Sequence, residues 1–178
     1  EGNVSCPNIK EGSAMFGTNI DMFKRGLSEV RKATKLPMIP KLAPDCSDIA
    51  AFARAAEECG ADAISLINSY PSMAVDVETR KPKIANVTGG LTGPALRPIA
   101  VRLVWMASKA VKIPVIGIGG ITCAADALEF MIVGATAVAV GTANFTNPGT
   151  AANVVSGLED YLVRHQLDDI RQVVGTFQ

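Results

Sequence analysis

The chain, 178 residues long, is short of several features that would point to particular partners. Its 17 Lys and Arg balance 17 Asp and Glu, so it lacks the basic surplus that tracks a nucleic-acid backbone or an anionic membrane surface. No apolar run approaches the roughly 20 residues that cross a bilayer. The opening Glu1-Gly-Asn-Val-Ser-Cys6-Pro-Asn8 has no basic stretch followed by an apolar one. These absences set aside nucleic acid and membrane as partners and point to the cytoplasm. Four cysteines, Cys6, Cys46, Cys59 and Cys123, are widely spaced without a Cys-x-x-Cys pair, and the single histidine, His165, is remote from them. That pattern fits neither a zinc or iron–sulfur site nor a disulfide framework, so no metal ligand is assigned. Aromatic residues make up only 5% of the chain. Ala, Val, Ile and Gly are plentiful instead, which suits buried parallel strands between amphipathic helices.

What the chain does contain is a repeated unit. Apolar, β-branched runs at 38–42, 61–67, 114–118 and 136–140 read as strands, and helical spacing follows over 47–59, 97–111, 124–133 and 150–164. A further helix is expected over about 19–34, after the opening loop. Ala56-Glu-Glu-Cys-Gly60-Ala-Asp-Ala-Ile64 and Phe130-Met-Ile-Val-Gly134-Ala-Thr-Ala-Val138 share one design, a helix end, a Gly turn and a buried strand. Repeated βα units demand parallel pairing. The predicted fold is α/β, the C-terminal portion, about four to five βα units, of a (β/α)8 TIM barrel whose strand C-termini carry chemistry. A doubly wound sheet is the runner-up, weakened because the chain spells no Gly-x-Gly-x-x-Gly and has no acidic residue at ribose-binding distance. Residues 1–178 are read as one domain, with an insertion at 70–96. There Val75-Asp-Val77 and Lys83-Ile-Ala85 flank a turn at 78–82, which predicts a small hairpin projecting from the barrel top. A start without Met, straight into a polar loop, raises the expectation of a piece of a longer protein.

Polar and glycine residues at the expected strand ends converge on one face of such a barrel. They are the loop at 3–8, Lys41, Asn68 with Ser69, Gly89-Gly90 to Gly93, Gly119-Gly120 and Gly141-Thr142. Gly119-Gly120 and Gly141-Thr142 follow the last two strands, where Gly lets backbone N–H groups approach a phosphate. Ordinary tight turns are the alternative; a phosphate-bearing cofactor or substrate is the consequence of the first reading. Lys41 ends an apolar strand and faces the barrel axis if Ile39 packs outward, where its ammonium needs an anion. It could equally snorkel to the rim. Cys6 has two Asn, a Pro and a Ser for neighbours rather than apolar residues, and a thiolate can serve as general base. A buried, inert thiol is the commoner fate of a cysteine, and Cys46, Cys59 and Cys123 are read that way. Asn3, Asn8 and Asn68 offer uncharged donors and acceptors of fixed geometry, as a planar heterocycle with C=O and N–H groups requires. Asn is also the default loop cap.

Six motifs together carry a resemblance. Asn3-Val-Ser-Cys6-Pro-Asn8, Lys41-Leu-Ala-Pro44, Ile67-Asn68-Ser69, Thr88-Gly-Gly-Leu-Thr-Gly-Pro-Ala95, Ile116-Gly-Ile-Gly-Gly-Ile121 and Val140-Gly-Thr-Ala-Asn-Phe145 follow one another in family order and spacing. The whole chain thereby resembles the C-terminal part of class 1 dihydroorotate dehydrogenases, most closely the class 1B catalytic subunit. The resemblance implies a flavoprotein with FMN at the top of the barrel that oxidises dihydroorotate to orotate in pyrimidine biosynthesis. It implies Cys6 as the base at C5 of the substrate, where class 2 enzymes place a Ser, while hydride passes from C6 to the flavin. Asn3, Asn8, Asn68 and Ser69 then hold the pyrimidine ring and its carboxylate. Lys41 lies near the flavin, where positive charge stabilises the reduced anion. Gly93, Gly119, Gly120, Gly141 and Thr142 bind FMN, mainly at its phosphate, and Asn3 and Ile67 also contact it. In class 1B enzymes a partner subunit carrying FAD and a [2Fe–2S] cluster passes the electrons to NAD⁺, so a homodimer or heterotetramer is implied.

The family's first barrel strands, with a substrate-binding lysine and an Asn-containing loop, have no counterpart here. The expectation is therefore the C-terminal part of a barrel of roughly 250 residues, which needs its other strands to close. Two other functions stay open. One is pyrimidine reduction of the dihydropyrimidine dehydrogenase kind, where the second Asn of the Cys loop is typically His, so that Asn8 favours dihydroorotate. The other is a non-catalytic phosphate-binding barrel fragment.

Overall fold

The computed structural model describes residues 1–3, 17 and 19–178. Helix α1 (Ile20–Ala33) starts where the Asn19 side chain accepts hydrogen bonds from the Asp21 and Met22 N–H groups at 3.1 and 3.0 Å. It buries Phe23 and Leu27, four residues apart on one face. Helix α2 (Ile49–Glu58) starts the same way, with Asp48 accepting from Ala50 and Ala51 N–H at 3.0 and 3.1 Å. Phe52 of α2 meets Phe23 edge to face with ring centroids 5.1 Å apart, which joins the two helices.

Strands β1 (Gly2–Asn3), β2 (Pro40–Leu42) and β3 (Ile64–Leu66) alternate with these helices. Four short strands follow, β4 (Tyr70–Met73), β5 (Val75–Asp76), β6 (Lys81–Pro82) and β7 (Thr88–Leu91), then helix α3 (Arg97–Ser108). The rhythm resumes with β8 (Val115–Ile118), α4 (Ala124–Ile132), β9 (Ala137–Ala139), the short α5 (Ala143–Thr146) and α6 (Thr150–His165). One sheet holds β1, β2, β3, β8 and β9 in that spatial order, every pair parallel. The strands expected from the sequence thus form, shorter at their ends, and the sheet is open among the described residues.

The register separates the two faces. Leu42, Leu66 and Gly117 sit side by side, and Leu42 and Leu66 are fully buried. A Cβ on Gly117 would come within 2.6 Å of the Phe130 ring of α4, so this row faces the helices. The alternate row, Asn3, Lys41, Ser65, Ile116 and Ala137, therefore faces the other, concave side. Lys41 points to the concave side because its neighbours Pro40 and Leu42 pack under the helices. Ile39, two residues from Lys41, shares its face, so the outward residues are Pro40 and Leu42 and not Ile39 as the sequence suggests.

The turns from helix to strand follow the shared design. Gly60 (φ +80°) lets its N–H reach Glu57 O at 2.9 Å and Ala61 N–H reach Ala56 O at 3.0 Å. Gly134 (φ +118°) does the same toward Met131 O at 3.0 Å and Phe130 O at 2.9 Å. Both are Schellman ends, which need a left-handed residue and satisfy the helix's last carbonyls. Residues 70–91 form two antiparallel ladders, β4 with β7 and, within it, β5 with β6. The inner one differs from the sequence reading: Val75 pairs with Pro82 and Asp76 with Lys81, so its second strand begins before the predicted 83–85. Asp76 accepts from Glu78 and Thr79 N–H at 3.1 and 2.8 Å, and this side-chain turn closes the loop sooner than the apolar pattern suggested.

Candidate functional site

At the C-terminal end of the parallel sheet lies a cleft of about 160 Å³. β2 sends Lys41 into it; the segment after β3 contributes Ile67, Asn68 and Ser69. From the stretch leading into α3 come Thr92, Gly93 and Leu96, and β8 and its loop add Ile118, Gly119 and Gly120. Gly141 and Thr142, after β9, close the ring. An adjoining hollow of about 190 Å³ shares Gly93, Gly120, Gly141 and Thr142 and continues along Ile121, Thr122 and Thr146. Four βα units thus meet in one elongated depression.

The backbone holds its walls in place. Ile67 N–H donates to Ile118 O at 3.0 Å and Asn68 N–H to Leu42 O at 3.1 Å, pinning the segment after β3 between its neighbours. The Asn68 amide donates through Nδ2 to Asn3 Oδ1 at 3.3 Å and accepts from Ser69 N–H at 2.9 Å. Asn3 therefore adjoins the cleft through Asn68. Lys41 Nζ, 22% exposed, pairs with Glu1 at 3.5 Å. Cys6 and Asn8 lie outside the described residues.

The glycines differ in what demands them. Gly120 has φ +72°, and a Cβ there would lie 2.6 Å from Gly93 O and 3.1 Å from Arg97 N; fold geometry alone requires glycine. Gly119, at φ +140° and with Ala100 2.8 Å from a Cβ, is the same. The plain turn reading accounts for both residues being glycine. Gly141 is otherwise: a Cβ on it would meet nothing within 4 Å, and its φ is not left-handed. The room in front of it is part of the cleft. Gly89 and Gly90, grouped with the site in the sequence, do not line it. They belong to β7, where a Cβ on Gly90 would strike the Ser69 hydroxyl at 2.0 Å.

Sequence reasoning passed over a polar cluster beside the cleft. Asp126, 5% exposed in the first turn of α4, accepts from Thr122 N–H at 2.8 Å, the Thr122 hydroxyl at 2.6 Å and Cys123 N–H at 3.2 Å. Its other oxygen pairs with the Arg97 guanidinium at the start of α3, and Arg97 Nε lies 3.5 Å from Glu129. Burial pushes the Asp126 carboxyl up, but the Thr122 donors and the Arg97 charge outweigh it and hold the group below the usual range. Cys46 shows the opposite balance: burial, with Asp45 nearby, pushes its thiol up to about 11, which suits the inert role expected of it.

A family model described as dihydroorotate dehydrogenase matches residues 1–162. The chain belongs to the dihydroorotate dehydrogenase family. Among curated relatives, the dihydroorotate dehydrogenase B (NAD(+)) catalytic subunit of Geotalea daltonii is 48% identical over 178 residues, 100% of this chain and 58% of that protein. The protein of the same name from Desulforudis audaxviator is 53% identical over 175 residues, 98% of this chain and 57% of that protein. These names bear out the class 1B resemblance. The chain spans less than two thirds of the length of these dihydroorotate dehydrogenases. A crystal structure of DHODH from Eimeria tenella in complex with ferulenol aligns with a TM-score of 0.77, over 98% of this chain and 52% of that one. At 24% identity that likeness shows a shared fold, and the open sheet with its helices is an arc of the same barrel.

Proposed function

We propose that the cleft binds FMN and that the protein containing this chain oxidises dihydroorotate to orotate. One observation carries the reading: residues assigned to cofactor and substrate on sequence grounds, from Lys41 to Thr142, line a single cleft at the strand ends. The cleft suits the cofactor, since the space before Gly141 is what a phosphate close to backbone needs, and Lys41 faces the cleft as a cation. Gly93, Gly119, Gly120, Gly141 and Thr142 would bind FMN, mainly at its phosphate, and Asn3 and Ile67 would also contact it. When bound, FMN supplies the acceptor for the hydride that leaves C6 of dihydroorotate. Cys6 removes the proton from C5, and Asn3, Asn8, Asn68 and Ser69 hold the ring and carboxylate so that both leaving hydrogens are correctly aimed. Lys41 places positive charge beside the ring system that becomes more negative on reduction.

Residues 1–178 act in this reading as the C-terminal part of one FMN-binding barrel domain, with 70–96 as an insertion at its top. The relatives' names, a catalytic subunit using NAD(+), support a partner subunit; in this reading that subunit carries FAD and a [2Fe–2S] cluster, and the protein is a cytoplasmic homodimer or heterotetramer. The test uses the full-length protein reconstituted with FMN. Orotate should form from dihydroorotate, dihydrouracil should give no turnover, and Cys6→Ala should slow flavin reduction about 100-fold or more. Equal turnover of both substrates, or an undiminished rate in Cys6→Ala, contradicts the proposal.

A further inference from the structure

The Arg97–Asp126–Thr122 cluster does more than start a helix. An N-terminal turn needs an acceptor for its free N–H groups, and an uncharged side chain supplies one. Here a buried carboxylate takes three hydrogens from Thr122 and Cys123 with one oxygen. It gives the other oxygen to an arginine 29 residues earlier, in a different βα unit. A buried charge is costly unless paired, so the pairing partner's position is imposed. That position matters because Arg97 begins α3 directly after the Gly93 turn, where Leu96 N–H donates to Gly93 O at 2.9 Å. Gly120, in turn, packs on Gly93 O and the Arg97 backbone with no room for a Cβ. Gly93 and Gly120 are shared by both halves of the cleft, and Thr122 lines the second.

We propose that Arg97, Asp126 and Thr122 form a positioning clamp that sets the gap between the Gly93 turn and the Gly119-Gly120 loop, and through that gap the affinity for the phosphate-bearing cofactor. Thr122 itself lines the second hollow, whereas Arg97 and Asp126 line neither, and the proposal rests on the FMN reading above. Without the clamp, the loop after β8 loses its fixed distance from α3. The experiment uses the full-length protein and two readouts, FMN affinity by fluorescence titration and amide hydrogen exchange of residues 119–123 in the FMN-free protein. Thr122→Val, which keeps the shape and removes one hydroxyl donor, should weaken FMN binding about fivefold. Thr122→Ser should stay within about twofold of the parent, and Asp126→Asn should lose about tenfold or more. Both Thr122→Val and Asp126→Asn should exchange faster over 119–123. If Asp126→Asn does not fold, Thr122→Val decides alone. A folded Thr122→Val variant with parental FMN affinity and parental exchange overturns the clamp while the FMN reading stands. A parent protein that binds no FMN overturns both.

Discussion

At the cleft, Gly120 and Gly141 are the same residue type kept for different reasons, and substitution separates them. Gly120→Ala forces a Cβ against Gly93 O at φ +72°, so the FMN-free protein should lose about 2 kcal/mol or more of stability in denaturant unfolding. Gly141→Ala meets no atom within 4 Å, so stability should move by less than about 0.5 kcal/mol. Its FMN affinity should nonetheless fall at least about tenfold, because the methyl occupies the space a phosphate needs. A Gly141→Ala protein that binds FMN normally would show that the opening serves something else. Asp126 carries a pH signature of its own. Its folded-state pKa lies below the ordinary 3.8, so its contribution to stability is present above that pH and is lost as pH falls through the folded value. Acid unfolding curves of the parent should therefore lose stability below about pH 4 more steeply than those of Asp126→Asn. Parallel curves would show that the carboxylate is not specially held.

Among the elements, helix ends are the clearest link from sequence to fold. Two of the Schellman ends carry the glycine their left-handed turn asks for, and both were legible as Gly after an apolar helical run. The third, at the end of α6, has Gln166 at φ +56°, with its N–H on Val163 O at 3.2 Å and Leu167 N–H on Leu162 O at 2.9 Å. Gln166→Gly should raise the thermal midpoint, worth about 1 kcal/mol, by removing that left-handed cost. No change or a loss would mean that the glutamine is otherwise compensated. The parallel units were readable because each strand is a short apolar run closed by a turn residue. The ladder of β4 with β7 was not, since Pro71 and Gly89-Gly90 break any strand pattern, and it forms because Gly90 can lie directly on Ser69. Most of the cleft could be read from residues at strand ends. Arg97 and Asp126 could not, because an ion pair spanning two βα units leaves no local spacing to find.

Taken whole, the molecule is an arc of parallel strands with helices on one face and a polar cleft at the strand C-termini, the place where barrels of this kind carry chemistry. Family membership, the class 1B names of its relatives and the convergence of Lys41, Asn68, Ser69 and the glycine loops all bear on that one end. The chain covers 58% of the Geotalea daltonii relative, so the proposed activity is tested on full-length protein. The most direct measurement is anaerobic: full-length protein is loaded with FMN, dihydroorotate is added, and the flavin's visible absorbance is followed. The account predicts rapid bleaching with dihydroorotate and about 100-fold slower bleaching in Cys6→Ala. A loaded flavin that stays oxidised with dihydroorotate would contradict it.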